Sequence, residues 1–296
     1  MACRSRPHSR RRRRCRARRR PIACRRCSSR WAPRRHRRSP RSPCASTSPG
    51  TSPSSTPMAG WPAAASVSPN APGSNDGDEP WARVAAYWRD SGTLQEMVNS
   101  NQAGAYQCQN PYGSTFARSE CRAFVSDVAW SAAFVSYVMA QAGVQGFRLS
   151  PRHIDYIRAA SSGSATSPYS FQDPNQTPIQ PGDMLCYVRN SSSVVGFGGL
   201  KTFLANSGGG LLSHCDIAVS LNGNQVWLVG GNVANMVTMR KLTLDAGGRA
   251  LLPRPISTQW VGSDEDGQDA SCSPANEASC SMNRQNWAVL LKLTRP

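Results

Sequence analysis

Apolar positions recur at helical spacing in the first half of the folded part of the chain. "WARVAAYWRDSGTLQEMVNS" (81–100) predicts one or two amphipathic helices broken near Gly92. A polar connection containing Gly, Asn and Pro is expected from 101 to about 118. "DVAWSAAFVSYVMAQAG" (127–143) follows, with Ser126 or Asp127 as N-cap and Gly143 as stop. Trp130, Ala133, Phe134, Tyr137, Val138 and Met139 fall at three- and four-residue intervals along it. "SPRHIDYIRAA" (150–160) predicts a short helix with Ser150 as cap and Pro151 in the first turn.

After Ser161 the pattern changes from helical spacing to short apolar runs. "QPGDMLCYV" (180–188) is a turn followed by such a run. "SHCDIAVSLNGNQVWLVGGNV" (213–233) is two runs joined by "NGN", a hairpin signature. "TMRKLTL" and "NWAVLLKLT" (286–294) are further strand candidates. Helices first and strands later predict an α+β domain, N-terminal helices packed on an antiparallel β-sheet. The Gly/Ser-rich stretch 189–212 is expected as a loop or flap beside the His214 strand, and 245–285 as mostly irregular.

Charge changes the picture at the N-terminus. Of 296 residues, 35 are Lys or Arg and 17 are Asp or Glu, a formal net charge of +18. Residues 1–41 hold 19 arginines and no acid, which leaves 16 basic residues against all 17 acidic ones. The high isoelectric point therefore describes a tail and not a domain surface. The organisation expected is an Arg-rich tail (1–57), a Pro/Ser/Ala-rich linker (58–79) and a folded domain (80–296). Clustered arginines bind phosphate by releasing counterions, so a nucleic-acid-associated protein is one function class the tail admits. Arg, Pro, Ser and Cys with neither Lys nor acid also resemble translated GC-rich non-coding DNA, which makes Met58 a candidate start. The Arg-rich beginning is not followed by the apolar core of a secretory signal, and no 18-residue apolar run predicts a membrane span.

Cysteine and acidic spacing bring in no metal or cofactor. "CRRC" at 24–27 has zinc-like spacing, but no second pair completes a tetrahedral set. Asp264, Glu265, Asp266 and Asp269 do not follow the EF-hand pattern. Cys108 with Cys121, and Cys272 with Cys280, flank polar loops and are candidates either for local disulfides or for free thiols.

Candidate chemistry centres on the histidines. His8 and His36 lie in the tail, which leaves His153 and His214 for a folded site. Along a strand, His214 and Asp216 share one face and Cys215 takes the other. The returning strand reaches Asn232 after two glycines, so Asn232 is expected beside His214, where it can orient the ring. Ser131 lies near a helix start, where amide dipoles stabilise developing negative charge. His153 and its neighbours Asp155 and Tyr156 are candidate cleft residues. Trp130 follows the helical period with Phe134 and is expected in the core.

The order of "WSAAFV", "PGDM", "HCDI" and "GGN" resembles the CHAP amidases and NlpC-like cell-wall peptidases, which share a papain-like fold. It is similar also to a bacterial domain of unknown function in which "WSAAF", "HCDI" and "GGNV" recur together. The resemblance covers roughly residues 80–295. It implies a papain-like α+β fold, a peptide or amide substrate of the peptidoglycan type and an extracytoplasmic location. Carried over by position, it implies Ser131 as nucleophile, His214 as base, and Asn232 or Asp216 as the group behind the base. Trp130, His153, Asp155 and Tyr156 would line the substrate cleft. The departure is Ser131, which stands where those enzymes carry cysteine. A hydroxyl needs a general base through the transition state. Replacing the carboxylate behind such a base by an amide costs on the order of 10⁴ in turnover. Three readings of Ser131 therefore stand: a slow or altered hydrolase, a binding domain using the same cleft, or a serine present only for capping.

Overall fold

The computed structural model describes residues 79–254 and 281–294. The tail, the linker, the Cys272–Cys280 pair and the acidic loop at 264–269 lie outside the described residues. Among the described residues, six α-helices precede or interleave with six strands. They are α1 (Pro80–Asp90), α2 (Leu94–Asn99), α3 (Thr115–Asp127), α4 (Ser131–Gln141), α5 (His153–Ser161) and α6 (Gly196–Asn206). The strands are β1 (Tyr169–Gln172), β2 (Met184–Val188), β3 (Ser213–Asn222), β4 (Gln225–Val233), β5 (Met236–Thr243) and β6 (Asn286–Leu293). They form one open antiparallel sheet in the order β1-β6-β2-β3-β4-β5. The α+β class read from the sequence is the class observed.

Local chemistry explains most of the boundaries. Pro80 opens α1, where its missing N–H costs nothing, and Gly92 takes a left-handed conformation (φ 77°) that breaks the chain between α1 and α2. Trp81, Val84, Ala85 and Trp88 recur along one stripe of α1 and are buried, with Trp88 packed on Phe124 of α3. Each such aromatic contributes about 1.5–3 kcal/mol through burial.

Three segments differ from the sequence-based expectation. In one, α5 starts at His153 with Arg152 as N-cap, and Ser150 and Pro151 precede the helix instead of capping and opening it. The stretch from 115 is helix and not the tail end of a polar connection. Ser114 caps α3 by accepting from the Ala117 N–H at 3.0 Å, and Cys121, Phe124 and Val125 bury one narrow stripe. Ser126 and Asp127 therefore close α3 instead of capping the next helix, and Ser131 becomes the first residue of α4. The expected flap at 189–212 contains α6, whose Leu200 is buried and whose Phe197, Phe203 and Leu204 pack on the core. Four apolar contacts at helical spacing outweigh the low helix propensity of its glycines.

The sheet separates two cores. Met184, Cys186, Val188, Cys215, Ile217 and Leu291 join the helices in the larger one. Leu185, Tyr187, Leu228, Leu242, Trp287 and Leu290 build the smaller one. β2 is buried along its whole length, as a central strand covered on both faces requires. The "PGD" turn anchors it. Asp183 accepts from the Gln180 N–H at 2.7 Å, from Lys292 Nζ at 2.8 Å and from the Leu293 N–H at 2.9 Å, tying the start of β2 to the end of β6.

Two disulfides lie in the described residues. Cys108–Cys121 closes a local loop onto α3, and Cys186–Cys215 joins directly opposed residues of β2 and β3. Among the described residues no single helix is long and apolar enough to cross a membrane.

Closing the 13-residue separation between Cys108 and Cys121 restricts the unfolded chain by about 3 kcal/mol. The double variant Cys108→Ala/Cys121→Ala is expected to lose roughly that much stability, read from urea unfolding without reductant.

Candidate functional site

Ser131 is the first residue of α4, preceded by Trp130 in a non-helical conformation (φ −105°, ψ 7°). The Trp130 carbonyl accepts from the Phe134 N–H at 2.9 Å, and its indole N–H donates to Asn235 Oδ1 at 3.3 Å. The start of α4 is thus pinned from inside the helix and from the β4–β5 turn. Farther along α4, the buried Ser136 hydroxyl donates to the Ser150 carbonyl at 2.9 Å and accepts the Ser150 N–H at 3.0 Å. Ser150 Oγ in turn accepts from the Arg152 N–H at 3.1 Å and donates to Asp155 Oδ2 at 2.7 Å. This clamp fixes the approach to α5, whose first residue is His153.

The clamp brings Ser131 Oγ within 2.7 Å of His153 Nε2. The imidazole in reach of the hydroxyl is therefore His153, on α5, and not the expected His214. On its other nitrogen, His153 Nδ1 is hydrogen-bonded to the Tyr156 hydroxyl one helical turn on. The His214 ring lies behind, its centroid 5.0 Å from that of His153. His214 and Asp216 share a face of β3, as the alternation of the strand requires, and His214 Nε2–H donates to Asp216 Oδ1 at 3.0 Å. Asp216 Oδ2 forms an ion pair with Arg240 Nε of β5 at 2.9 Å. The guanidinium lies over the rings of Tyr187 and Trp287.

The glycines of "GGN" make room for this arrangement. A Cβ on Gly230 would stand 1.9 Å from Asp216 Oδ1, and one on Gly231 would stand 2.6 Å from the Phe134 side chain. Gly230 is the residue of β4 against His214 and Asp216. Asn232 lies two residues on, half-buried, where its left-handed conformation (φ 58°) begins the turn to β5. No hydrogen bond joins Asn232 to His214 among the described residues; His214 bonds instead to Asp216. The side chain of that turn that reaches the site's helix is Asn235, the second asparagine of "GGNVAN".

Ser131 and His153 line a cleft of about 550 Å³, together with Arg152, Arg189, Asn190 and the segment 210–213. His214 and Asp216 do not line it; both are fully buried. Of the residues expected to touch substrate, His153 lines the cleft, whereas Trp130, Asp155 and Tyr156 do not. Trp130 is a core residue beside Tyr87, and Asp155 is bonded to Ser150 and to Arg152 Nε at 3.0 Å. Tyr156 is buried behind His153. Sequence reasoning placed His153 in the cleft without its hydroxyl partner and did not single out Arg189, Arg240, Asn235 or Gly230. The signal for His153 was its place at the head of a short helix, in a domain with one other histidine.

The electrostatics of the site follow from burial. Burial holds the His153 imidazole well below its usual range, and His214 and Arg189 push it in the same direction. Burial also pushes the Tyr156 phenol well above its usual range, helped by Asp216 and Asp155, so it stays protonated. Burial raises the Asp216 carboxyl, but Arg240 and His214 outweigh it, and the group lies below its ordinary value. Ser131, a neutral imidazole and a neutral phenol thus stand in front of a buried charge pair. The described residues contain no cluster of His, Cys, Asp or Glu suited to a metal.

Two measurements test this electrostatic picture. His153 is neutral in the fold and protonates in the unfolded chain near its ordinary 6.5. The unfolded state therefore binds more protons below that pH, and stability falls as pH drops from there toward the folded value. The slope contributed approaches about 1.4 kcal/mol per pH unit. Urea titrations between pH 7 and 5 are expected to show this slope in the native chain and its loss in His153→Gln. Asp216→Ala leaves the Arg240 guanidinium buried without its carboxylate. It is expected to cost about 3–5 kcal/mol in the same assay.

No curated protein and no solved structure matches the chain significantly. A family model described as "Uncharacterized protein conserved in bacteria (DUF2272)" matches residues 75–293, and the chain belongs to that family.

Proposed function

We propose that this DUF2272 domain is an acyl-transfer hydrolase of amide or peptide bonds, with Ser131 as nucleophile and His153 as general base. The observation that carries the reading is the 2.7 Å contact between Ser131 Oγ and His153 Nε2 at the head of a helix and in the wall of a cleft. In the productive tautomer, His153 carries its proton on Nδ1, held by the Tyr156 oxygen, and Nε2 accepts from Ser131. The serine oxygen attacks the carbonyl carbon as its proton passes to Nε2. The first-turn amides of α4, which a helix leaves without internal acceptors, receive the developing oxyanion. The proton on Nε2 then goes to the departing amine, and water releases the acyl group with His153 again as base.

The segment order that resembles the CHAP and NlpC-like enzymes supports a cell-wall peptide as the substrate and a papain-like relationship for the fold. The two disulfides support an oxidising, extracytoplasmic compartment. A neutral phenol behind the base supplies less than a carboxylate, so activated esters are expected to turn over faster than amides. A second reading, a binding domain using the same cleft, is favoured by the depressed basicity of His153.

A fluorophosphonate probe separates these readings. Hydrolase chemistry predicts one covalent adduct, located at Ser131 by mass spectrometry and absent from Ser131→Ala. His153→Ala is expected to slow labelling on the order of 10²–10⁴-fold. Dependence on His214 with indifference to His153 would move the base to the position that the family resemblance implies. A folded native chain that never labels, with no peptidase activity in Ser131→Cys, would leave the binding reading.

A further inference from the structure

The aromatic side chains exposed among the described residues all lie between positions 106 and 116. Tyr106 is 67% exposed, Tyr112 63% and Phe116 64%. The other large apolar side chains left in water are aliphatic and scattered from Leu149 to Leu251. A single exposed leucine is ordinary, whereas clustered exposed rings forgo burial that would stabilise the fold. The scaffold beneath them is fixed. Tyr106–Gln109 is one 3₁₀ turn, anchored by the buried Ala105 and by the Cys108–Cys121 bond to α3. Gly104 lets that turn lie against α3, since a Cβ there would stand 2.3 Å from the Glu120 carbonyl oxygen. Phe116 lies in the first turn of α3, whose start is held by the Ser114 cap. Tyr112 leans on Trp81, ring centroids 5.7 Å apart, but Tyr106 and Phe116 touch no other ring among the described residues.

Tyr106 and Phe116 line a groove of about 400 Å³, within the roughly 300–1,000 Å³ of small-ligand sites. It shares no residue with the Ser131–His153 cleft. Three amide side chains, Gln107, Gln109 and Asn110, also line it. Gln109 Nε2 donates to Gln95 Oε1 at 3.3 Å, which leaves the Gln109 carbonyl free to accept. The amides of Gln107 and Asn110 have no hydrogen-bond partner among the described residues. No Lys, Arg, Asp or Glu lines the groove among the described residues.

We propose that this groove is a second ligand site, which takes a neutral oligosaccharide of gluco-configured pyranose rings. The ring substituents of such a sugar are equatorial, so its faces present axial C–H groups. Their slight positive charge matches the negative face of an aromatic ring. Its rim carries vicinal hydroxyls, each a donor and an acceptor, which the C=O and NH₂ of an amide engage together. The uncharged wall complements an uncharged ligand; a nucleic acid or an anionic lipid surface would call for Lys or Arg here. Rings and amides already held by a disulfide-closed segment lose little freedom on binding. The site does not depend on the acyl-transfer reading.

The test uses the full chain, with cellotetraose and tetra-N-acetylchitotetraose as probes and calorimetry as the readout. At least one of them is expected to bind at a single site. Tyr106→Ala and Phe116→Ala are each expected to weaken that binding about tenfold. Both rings are exposed, so these variants are expected to keep the native melting temperature. Tyr106→Phe and Phe116→Tyr keep the stacking face and are expected to stay within about threefold of the native affinity. Leu221→Ala, which removes an exposed aliphatic side chain on β3, is expected to change nothing. Binding of neither probe at millimolar concentration overturns the proposal. So does an affinity that survives the double variant Tyr106→Ala/Phe116→Ala. Two further outcomes, each without sugar binding, would give the rings another occupant and overturn it equally. One is a dimer in sedimentation that the double variant dissociates. The other is attachment to phosphatidylcholine–phosphatidylglycerol vesicles that the double variant loses.

Discussion

The Asp216 carboxylate is the constraint from which the rest of the site follows. It has no exposure to solvent, and a charge so placed is tolerated only with a partner of opposite charge. One oxygen takes the His214 N–H and the other faces Arg240. Each partner then imposes its own demand. Arg240 needs aromatic faces and finds Tyr187 and Trp287, which places large rings on β2 and β6. His214 is set with its proton on Nε2, and its ring becomes a wall for His153. β4 must pass close to the carboxylate, and only glycine fits there. Five strands and two histidines are thus arranged around one buried negative charge.

The reactive-looking pair is assembled by a different means. Ser131 and His153 belong to consecutive helices, and neither is aimed by the sheet alone. Ser136 grips both backbone groups of Ser150, so the register of α4 against the head of α5 is set by hydrogen bonds that exclude water. Trp130 and Asn235 hold the other end. The left-handed residues of the β4–β5 turn, Asn232, Ala234 and Asn235, are uncommon conformations for side-chain-bearing residues, and they sit where that turn meets α4. Positions held from two directions are the usual requirement for a preorganised site.

Much of this was legible in the sequence, and for identifiable reasons. The hairpin around "NGN", the break at Gly92 and the shared face of His214 and Asp216 are consequences of local backbone rules, which need no tertiary knowledge. The helix α3 was obscured because only Cys121, Phe124 and Val125 are buried along it. Ser126 and Asp127 also look like the cap of the helix that follows. In α6 the glycines masked an apolar stripe whose worth appears only when Phe197 and Leu200 meet the core. The partner of Ser131 was not legible at all. Two histidines were available, and the choice is made by the Ser136–Ser150 clamp, a contact between residues fourteen apart that no periodicity announces. Arg240 was equally silent, since an arginine in "TMRKLTL" reads as an outward-facing strand residue.

The bond between Cys186 and Cys215 has a bearing on how the sheet is assembled. Its sulfurs belong to residues directly across from one another, with Tyr187 opposite His214 and Leu185 opposite Asp216 on either side. A slip of one position would turn every side chain of β2 to the reverse face and carry the two thiols apart. Oxidation can therefore seal only the alignment in which the aromatic ring and the imidazole already stand together. The covalent link acts as a ratchet on a correct match, recording permanently a choice that the apolar pattern made first.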